Sequence, residues 1–257
     1  MSRETVADYD VRSPASRTLL TVIGTIVTVV LLGGFVLGAS LIKRDTRIAT
    51  ADVELGDVSQ LVINAGAANV RLVEGDEGMV RIRARITSGL RKTDYQLGRR
   101  GSEIKIVSGC QTWLSPGCGV SATLEVPRGM PVVVKSTSGN VRADSLSEGV
   151  LTVSSGSGDV TVKDLKVDEF QATTGSGDIN AAFATQPFGL KTKSGSGDIR
   201  ATVPAGKRKY GVVVSSKSGD IDNTLDGEVA SSLSVAEAGN GFVVAMTDSG
   251  DIHLANQ

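Results

Sequence analysis

One short phrase recurs six times in this chain: Ser-Gly-Asp, once Ser-Gly-Asn, followed by Val or Ile. The copies carry Gly139-Asn140, Gly158-Asp159, Gly177-Asp178, Gly197-Asp198, Gly219-Asp220 and Gly250-Asp251, and successive Asn/Asp positions lie 19, 19, 20, 22 and 31 residues apart. A period of about 20 residues marks a stacked repeat architecture, because one such unit cannot bury its own apolar face and neighbouring units can bury each other's.

The repetition extends beyond the turn. Eight residues before each Asn/Asp stand Val132, Leu151, Phe170, Leu190, Val212 and Val243, and six before stand Val134, Val153, Ala172, Thr192, Val214 and Ala245. One residue after, only Val or Ile occurs; three after stand Ala143, Val162, Ala181, Ala201, Asn223 and Leu254. Alternate positions on both sides of the turn therefore face one interior, which is strand periodicity. Each unit reads as strand, turn, strand, return loop. Glycine is expected at the turn because it tolerates positive φ. The Ser and Asp side chains are expected to hold the corner through nearby backbone amides. The fold class is thus all-β, a parallel β-solenoid of about six or seven rungs, with like residues stacked on like about 4.8 Å apart. The 31 glycines and the aromatic content of 4% suit such a column and suit a helical bundle badly.

Residues 18–42 contain no charged side chain. As a helix they would extend about 37 Å, enough to span a bilayer with some tilt. A signal-peptide core is shorter, so one retained N-terminal transmembrane helix is expected, placing the protein at the cell membrane as a single-pass protein. Arg3, Arg12 and Arg17 on one side balance Lys43, Arg44 and Arg47 on the other, so charge does not orient it. The β domain is expected to be extracytoplasmic, consistent with a disulfide. The organisation read from the chain is a cytoplasmic tail at 1–17, the span at 18–42, a linker at 43–51 and the β domain at 52–257. Within that domain, 52–130 is irregular and 131–257 carries the regular repeats. Residues 60–73 look like a degenerate first rung, with Asn69 at the turn position and Leu61 eight before it. An insertion falls between Ala230 and Gly241, and the last repeat is expected to end the column.

Three further features bear on function. Residues 79–86 alternate strictly, with Val80, Ile82, Ala84 and Ile86 on one face and Arg81, Arg83 and Arg85 on the other. The arginines form either a solvated strand face or an anion-facing stripe for lipid headgroups or an anionic wall polymer. Cys110 and Cys118 are the only cysteines, and an even count beyond a membrane anchor points to a disulfide. The spacing and the single histidine, His253, do not suit a metal site. The basic run Lys207-Arg208-Lys209 reads as a solvated loop.

The succession Val126-Pro127-Arg128-Gly129, alternating strand, then turns such as Ser157–Val160, Ser176–Ile179 and Ser196–Ile199 resembles the bacterial putative-adhesin family, a group of unknown function with a β-solenoid domain. The resemblance covers residues 52–257. It implies a membrane-tethered envelope protein, with some relatives associated with envelope-stress signalling.

No catalytic or cofactor site emerges. Gly156-Ser157-Gly158 lacks the third glycine and the following helix of a dinucleotide fingerprint. Calcium-binding repeats have a much shorter period. The Asp column would repel itself unless its carboxylates bond amides or share cations. A glycan-cleaving enzyme needs a clustered acid and base, whereas the carboxylates here are mostly turn residues in register. A net charge of −1 gives no global case for nucleic acid. The expected function is a non-enzymatic binding surface at the cell envelope, an adhesin or scaffold, with another envelope protein or a wall polymer as partner. The alternative is a sensory or regulatory partner of an envelope-stress signalling system. A carbohydrate-active enzyme is the weakest reading.

Overall fold

The computed structural model describes residues 22–32, 34, 45–56, 58–89, 92–110, 117–229 and 241–257. Residues 22–32 are helical. Among the described residues no helix is long and apolar enough to cross a membrane. The rest of the expected 18–42 span, the 1–17 tail, residues 43–44 and most of the late insertion lie outside the described residues.

Strands account for most of the remainder. In chain order they are β1 (Asp45–Glu54), β2 (Leu61–Gly66), β3 (Asn69–Gly75), β4 (Met79–Ser88), β5 (Asp94–Arg100), β6 (Glu103–Gly109) and β7 (Gly119–Pro127). The regular repeats supply β8 (Val132–Ser136), β9 (Val141–Asp144), β10 (Val150–Ser155), β11 (Val160–Leu165), β12 (Glu169–Thr174), β13 (Ile179–Phe183), β14 (Gly189–Ser194) and β15 (Ile199–Val203). The C-terminal part adds β16 (Tyr210–Ser216), β17 (Ile221–Asn223), β18 (Gly227–Val229), β19 (Phe242–Thr247) and β20 (Ile252–Asn256). β7 stops at Pro127 and β15 just before Pro204, where a residue without an amide N–H ends the ladder.

Two ten-stranded sheets face each other. Sheet 1 runs β1-β4-β7-β3-β9-β11-β13-β15-β20-β17, and sheet 2 runs β5-β6-β2-β8-β10-β12-β14-β19-β16-β18. The strands before and after each turn lie in opposite sheets, so each repeat is one rung, and eight two-strand rungs stack among the described residues. One inward file runs Leu61, Val132, Leu151, Phe170, Leu190, Val243, Val212 in direct register. All seven are buried. A second runs Val70, Val141, Val160, Ile179, Ile199, Ile252, Ile221. Burying a Leu, Ile or Phe fully is worth about 1.5–3 kcal/mol, so these files carry much of the core. Phe170 and Phe183 meet within it, edge to face with centroids 5.9 Å apart.

Four sequence expectations need correction. The repeats do not stack in chain order: β19 and β20 pair with β14 and β15 on one side and with β16 and β17 on the other. The last repeat is therefore an inserted rung, and the one before it forms the end, where Ile221 is 46% exposed. The rung of Leu61 and Asn69 is not the first, because β6 and β7 lie outside it. That end is finished by antiparallel strands, β5 on β6 and β4 and β1 on β7. Residues 45–51, expected in the linker, form the first part of β1. Finally, the repeat glycines do not use positive φ; among the described residues the glycines that do are Gly56, Gly66, Gly78, Gly101, Gly117, Gly129 and Gly149.

Candidate functional site

The corner column shows what the turn residues do. The carboxylate or amide Oδ1 of each Asn/Asp except Asp220, in the end rung, accepts the backbone N–H of the corresponding residue in the next rung. Asn69 receives Asn140 at 2.9 Å, Asn140 receives Asp159 at 3.0 Å, and Asp159 receives Asp178 at 3.1 Å. Asp178 receives Asp198, Asp198 receives Asp251 and Asp251 receives Asp220, each at 2.9 Å. The bonds run between rungs and tie the column along its axis. The glycines serve the same stacking. A Cβ on Gly177 would collide with the Gly158 carbonyl, lying 2.6 Å from its carbon, and Gly139, Gly158, Gly197, Gly219 and Gly250 meet the neighbouring rung in the same way.

A third column was missed in the sequence reading. Four residues before each Asn/Asp stand Ser136, Ser155, Thr174, Ser194, Ser216 and Thr247. Within the turn, the hydroxyls of Ser155, Thr174 and Ser194 accept the N–H of Gly158, Gly177 and Gly197 at 2.8–3.1 Å. Thr174, Ser194 and Thr247 also donate to the Gly158, Gly177 and Gly197 carbonyls at 3.0–3.1 Å. These buried hydroxyls, and not the turn serines, satisfy the corner backbone. Counting back four residues would have revealed them.

The arginines lie where alternation put them: Val80, Ile82, Ala84 and Ile86 are buried, and Arg83 and Arg85 are exposed. Arg81 is held by Glu125 at 2.9 Å, with Asp52 at 3.4 Å and Asp76 at 3.7 Å. The hydrogen bond and charge of Glu125, followed by Asp52, raise the Arg81 pKa further. Register carries the stripe beyond β4. Arg83 lies opposite Thr123, Thr123 opposite Arg71, and Arg71 opposite Arg142. The same file continues through Thr161 and Asn180 to Arg200 and His253. Asp144 sits between Arg71 and Arg142, accepting from their Nε atoms at 2.6 and 3.0 Å. Burial opposes its ionisation, but the two guanidinium hydrogen bonds win and hold its carboxyl below the usual range. At the end of the file, His253 Nδ1 lies 2.8 Å from Asp222.

The outer face of sheet 2 is different. Phe242 covers Gly189, meets Phe188 edge to face with centroids 5.9 Å apart, and carries the Lys191 ammonium 4.8 Å from its ring centre. Cys110 and Cys118 are joined as a disulfide with Cα atoms 6.0 Å apart. Among the described residues no group of three or more His, Cys, Asp or Glu side chains is placed to hold a metal ion.

Stacked two-sheet rungs with ladders of like side chains define a β-solenoid repeat domain. The chain belongs to the Toastrack DUF4097 family, whose model matches residues 121–255. No curated protein matches it. Among solved structures, it is similar to a putative cell adhesion protein from Clostridium sporogenes at 11% identity and TM-score 0.52, covering 83% of this chain and 100% of that one. A putative adhesin from Bacteroides fragilis is similar at 9% identity and TM-score 0.44, over 82% of this chain and 97% of that one. At 11% identity the likeness to the Clostridium sporogenes protein shows the fold alone.

Proposed function

We propose that this protein is a non-enzymatic binding module of the cell envelope, tethered to the membrane by residues 18–42, with its solenoid outside the cell. The observation that carries the reading is the use of the turn carboxylates: one oxygen each of Asp159, Asp178, Asp198 and Asp251 accepts a backbone amide of the next rung. The Asp column is thereby committed to stacking. What the solenoid offers a partner is the long outer faces of its sheets. The uncharged run at 18–42 supports the tether, and the disulfide supports an oxidising compartment. The description of the Clostridium sporogenes relative as a cell adhesion protein agrees with a binding role.

Protease treatment of intact cells tests the topology. Residues 45–257 are expected to be digested from outside while the protein fractionates with membranes. Recovery as a soluble protein, or full protection in intact cells, would sink the proposal. Deletion separates the two roles the domain could serve: loss of attachment with an unchanged envelope-stress response supports an adhesin or scaffold, and the reverse supports a regulatory partner.

A further inference from the structure

We propose that the outer face of sheet 1 is a docking track for a linear polyanion built from hydroxyl-bearing units, such as an anionic wall glycopolymer. This rests on the reading of the solenoid as an envelope binding module and names its face and ligand chemistry.

The track is one residue wide. Arg83, Arg71, Arg142 and Arg200 occupy a single file across seven strands, interrupted by Thr123, Thr161 and Asn180. At the usual strand spacing it is about 29 Å long. The file holds no carboxylate until Asp222 at its far end. Arg71 and Arg142 face each other directly, an arrangement of like charges that costs a sheet stability. Asp144 offsets that cost from the neighbouring file through their Nε atoms only, leaving the terminal nitrogens of both forks for a ligand. Two guanidinium groups fixed side by side suit phosphate or carboxylate oxygens. Arg83, Arg85, Lys163 and Arg200 are exposed, with no ion pair among the described residues.

Beyond Arg142 the floor drops. A shallow depression of about 160 Å³ is lined by Thr161, Lys163, Asn180, Ala182, Arg200 and Thr202. What it exposes is almost wholly carbon, the methyl groups and aliphatic stems of these side chains, between the Lys163 and Arg200 cations, a surface that suits the C–H face of a sugar or polyol unit flanked by anionic groups. Two other polyanionic surfaces fit less well. The adjacent file carries Asp52, Glu125 and Asp144, which a flat anionic membrane would also meet. Among the described residues no Phe, Tyr or Trp faces outward from sheet 1, so single-stranded nucleic acid finds no stacking platform there.

The test uses the full chain in neutral detergent, with poly(glycerol phosphate) as the probe and calorimetry as the readout. Binding is expected, weakening as salt rises to about 0.15 M. The variant Arg83→Glu/Lys163→Glu/Arg200→Glu breaks no ion pair. It is expected to keep the wild-type melting temperature and lose about tenfold or more in affinity. Lys105→Glu/Lys135→Glu, on the outer face of sheet 2, is expected to change nothing. Should the triple variant misfold, Arg200→Gln alone is expected to lose about threefold. Equal binding by wild type and a folded track variant overturns the proposal. So does preference for anionic phospholipid vesicles or single-stranded DNA over the polymer. If wild type binds no polyanion yet captures an envelope protein or neutral glycan, the track falls and the binding-module reading stands. Failure to bind any envelope component, together with a soluble location, defeats both.

Discussion

Replacing Gly177 by Ala tests the reason for glycine at the repeat corner. The residue does not adopt positive φ, so a methyl group is conformationally acceptable, and on a free surface would stabilise by about 0.4–1 kcal/mol through the unfolded chain. The stack forbids it. The new Cβ would lie 2.6 Å from the Gly158 carbonyl carbon and 3.0 Å from the Asp159 nitrogen, where ordinary contact begins at 3.4 Å. The Gly158 carbonyl oxygen lies closer still, so the corners would have to separate by about 1 Å along the column, taking 3.4 Å as the contact limit. That separation stretches the Asp178 N–H bond to Asp159 and the Thr174 hydroxyl bond to Gly158, both already 3.1 Å. Two hydrogen bonds at about 1 kcal/mol each, with overpacking of about 1–3 kcal/mol, outweigh the entropic gain. The expected net loss is about 3 kcal/mol, or roughly 6–12 °C in melting temperature for a domain of this size. Gly119→Ala is the matched control: its φ is not positive and no atom lies within 4 Å of the added Cβ, so it should be neutral or slightly stabilising. Denaturant unfolding of both variants decides the matter. Equal stability of Gly177→Ala and Gly119→Ala would refute the close-stacking account.

Two other outcomes are expected. The Tyr210 hydroxyl donates to the Pro187 carbonyl at 3.1 Å, and burial, partly offset by Arg208, pushes its pKa up to about 12 from 10.0. The stability this represents is complete below pH 10, and falls as pH rises through about 12, because the unfolded chain loses that proton first. Tyr210→Phe should flatten that part of the pH–stability curve, and ultraviolet titration should show Tyr210 ionising last. Deleting residues 241–257 should loosen a rung that precedes them in the chain. Amides of 211–223 are expected to exchange rapidly while those of 150–180 stay protected, whereas a column stacked in chain order would leave 211–223 protected.

The repeat period, the two-sided alternation and the identity of the inward files were legible in the chain, because each depends only on local pattern. Leu151, Phe170 and Leu190 form one vertical file, as their common offset required. The arginines at 81, 83 and 85 faced outward for the same reason. Glycine at the corner was recognised but misexplained, since its neighbour is a backbone carbonyl one period away and no local rule senses it. The buried hydroxyl column was overlooked although its spacing is regular. The arginine file lay further out of reach, because Arg71, Arg83, Arg142 and Arg200 share no sequence spacing and meet only through antiparallel and parallel register combined.

Local pattern thus dictated what one rung is: which residues point inward, where it turns, and that it must stack. It did not dictate which rung lies beside which. Every regular repeat presents nearly the same edge of amides and carbonyls and the same Val or Ile after the turn, so β20 can match β15 and β17 equally well. Only long-range pairing chose to insert the last repeat ahead of its predecessor, and only that assembly set the cationic file on one outer face.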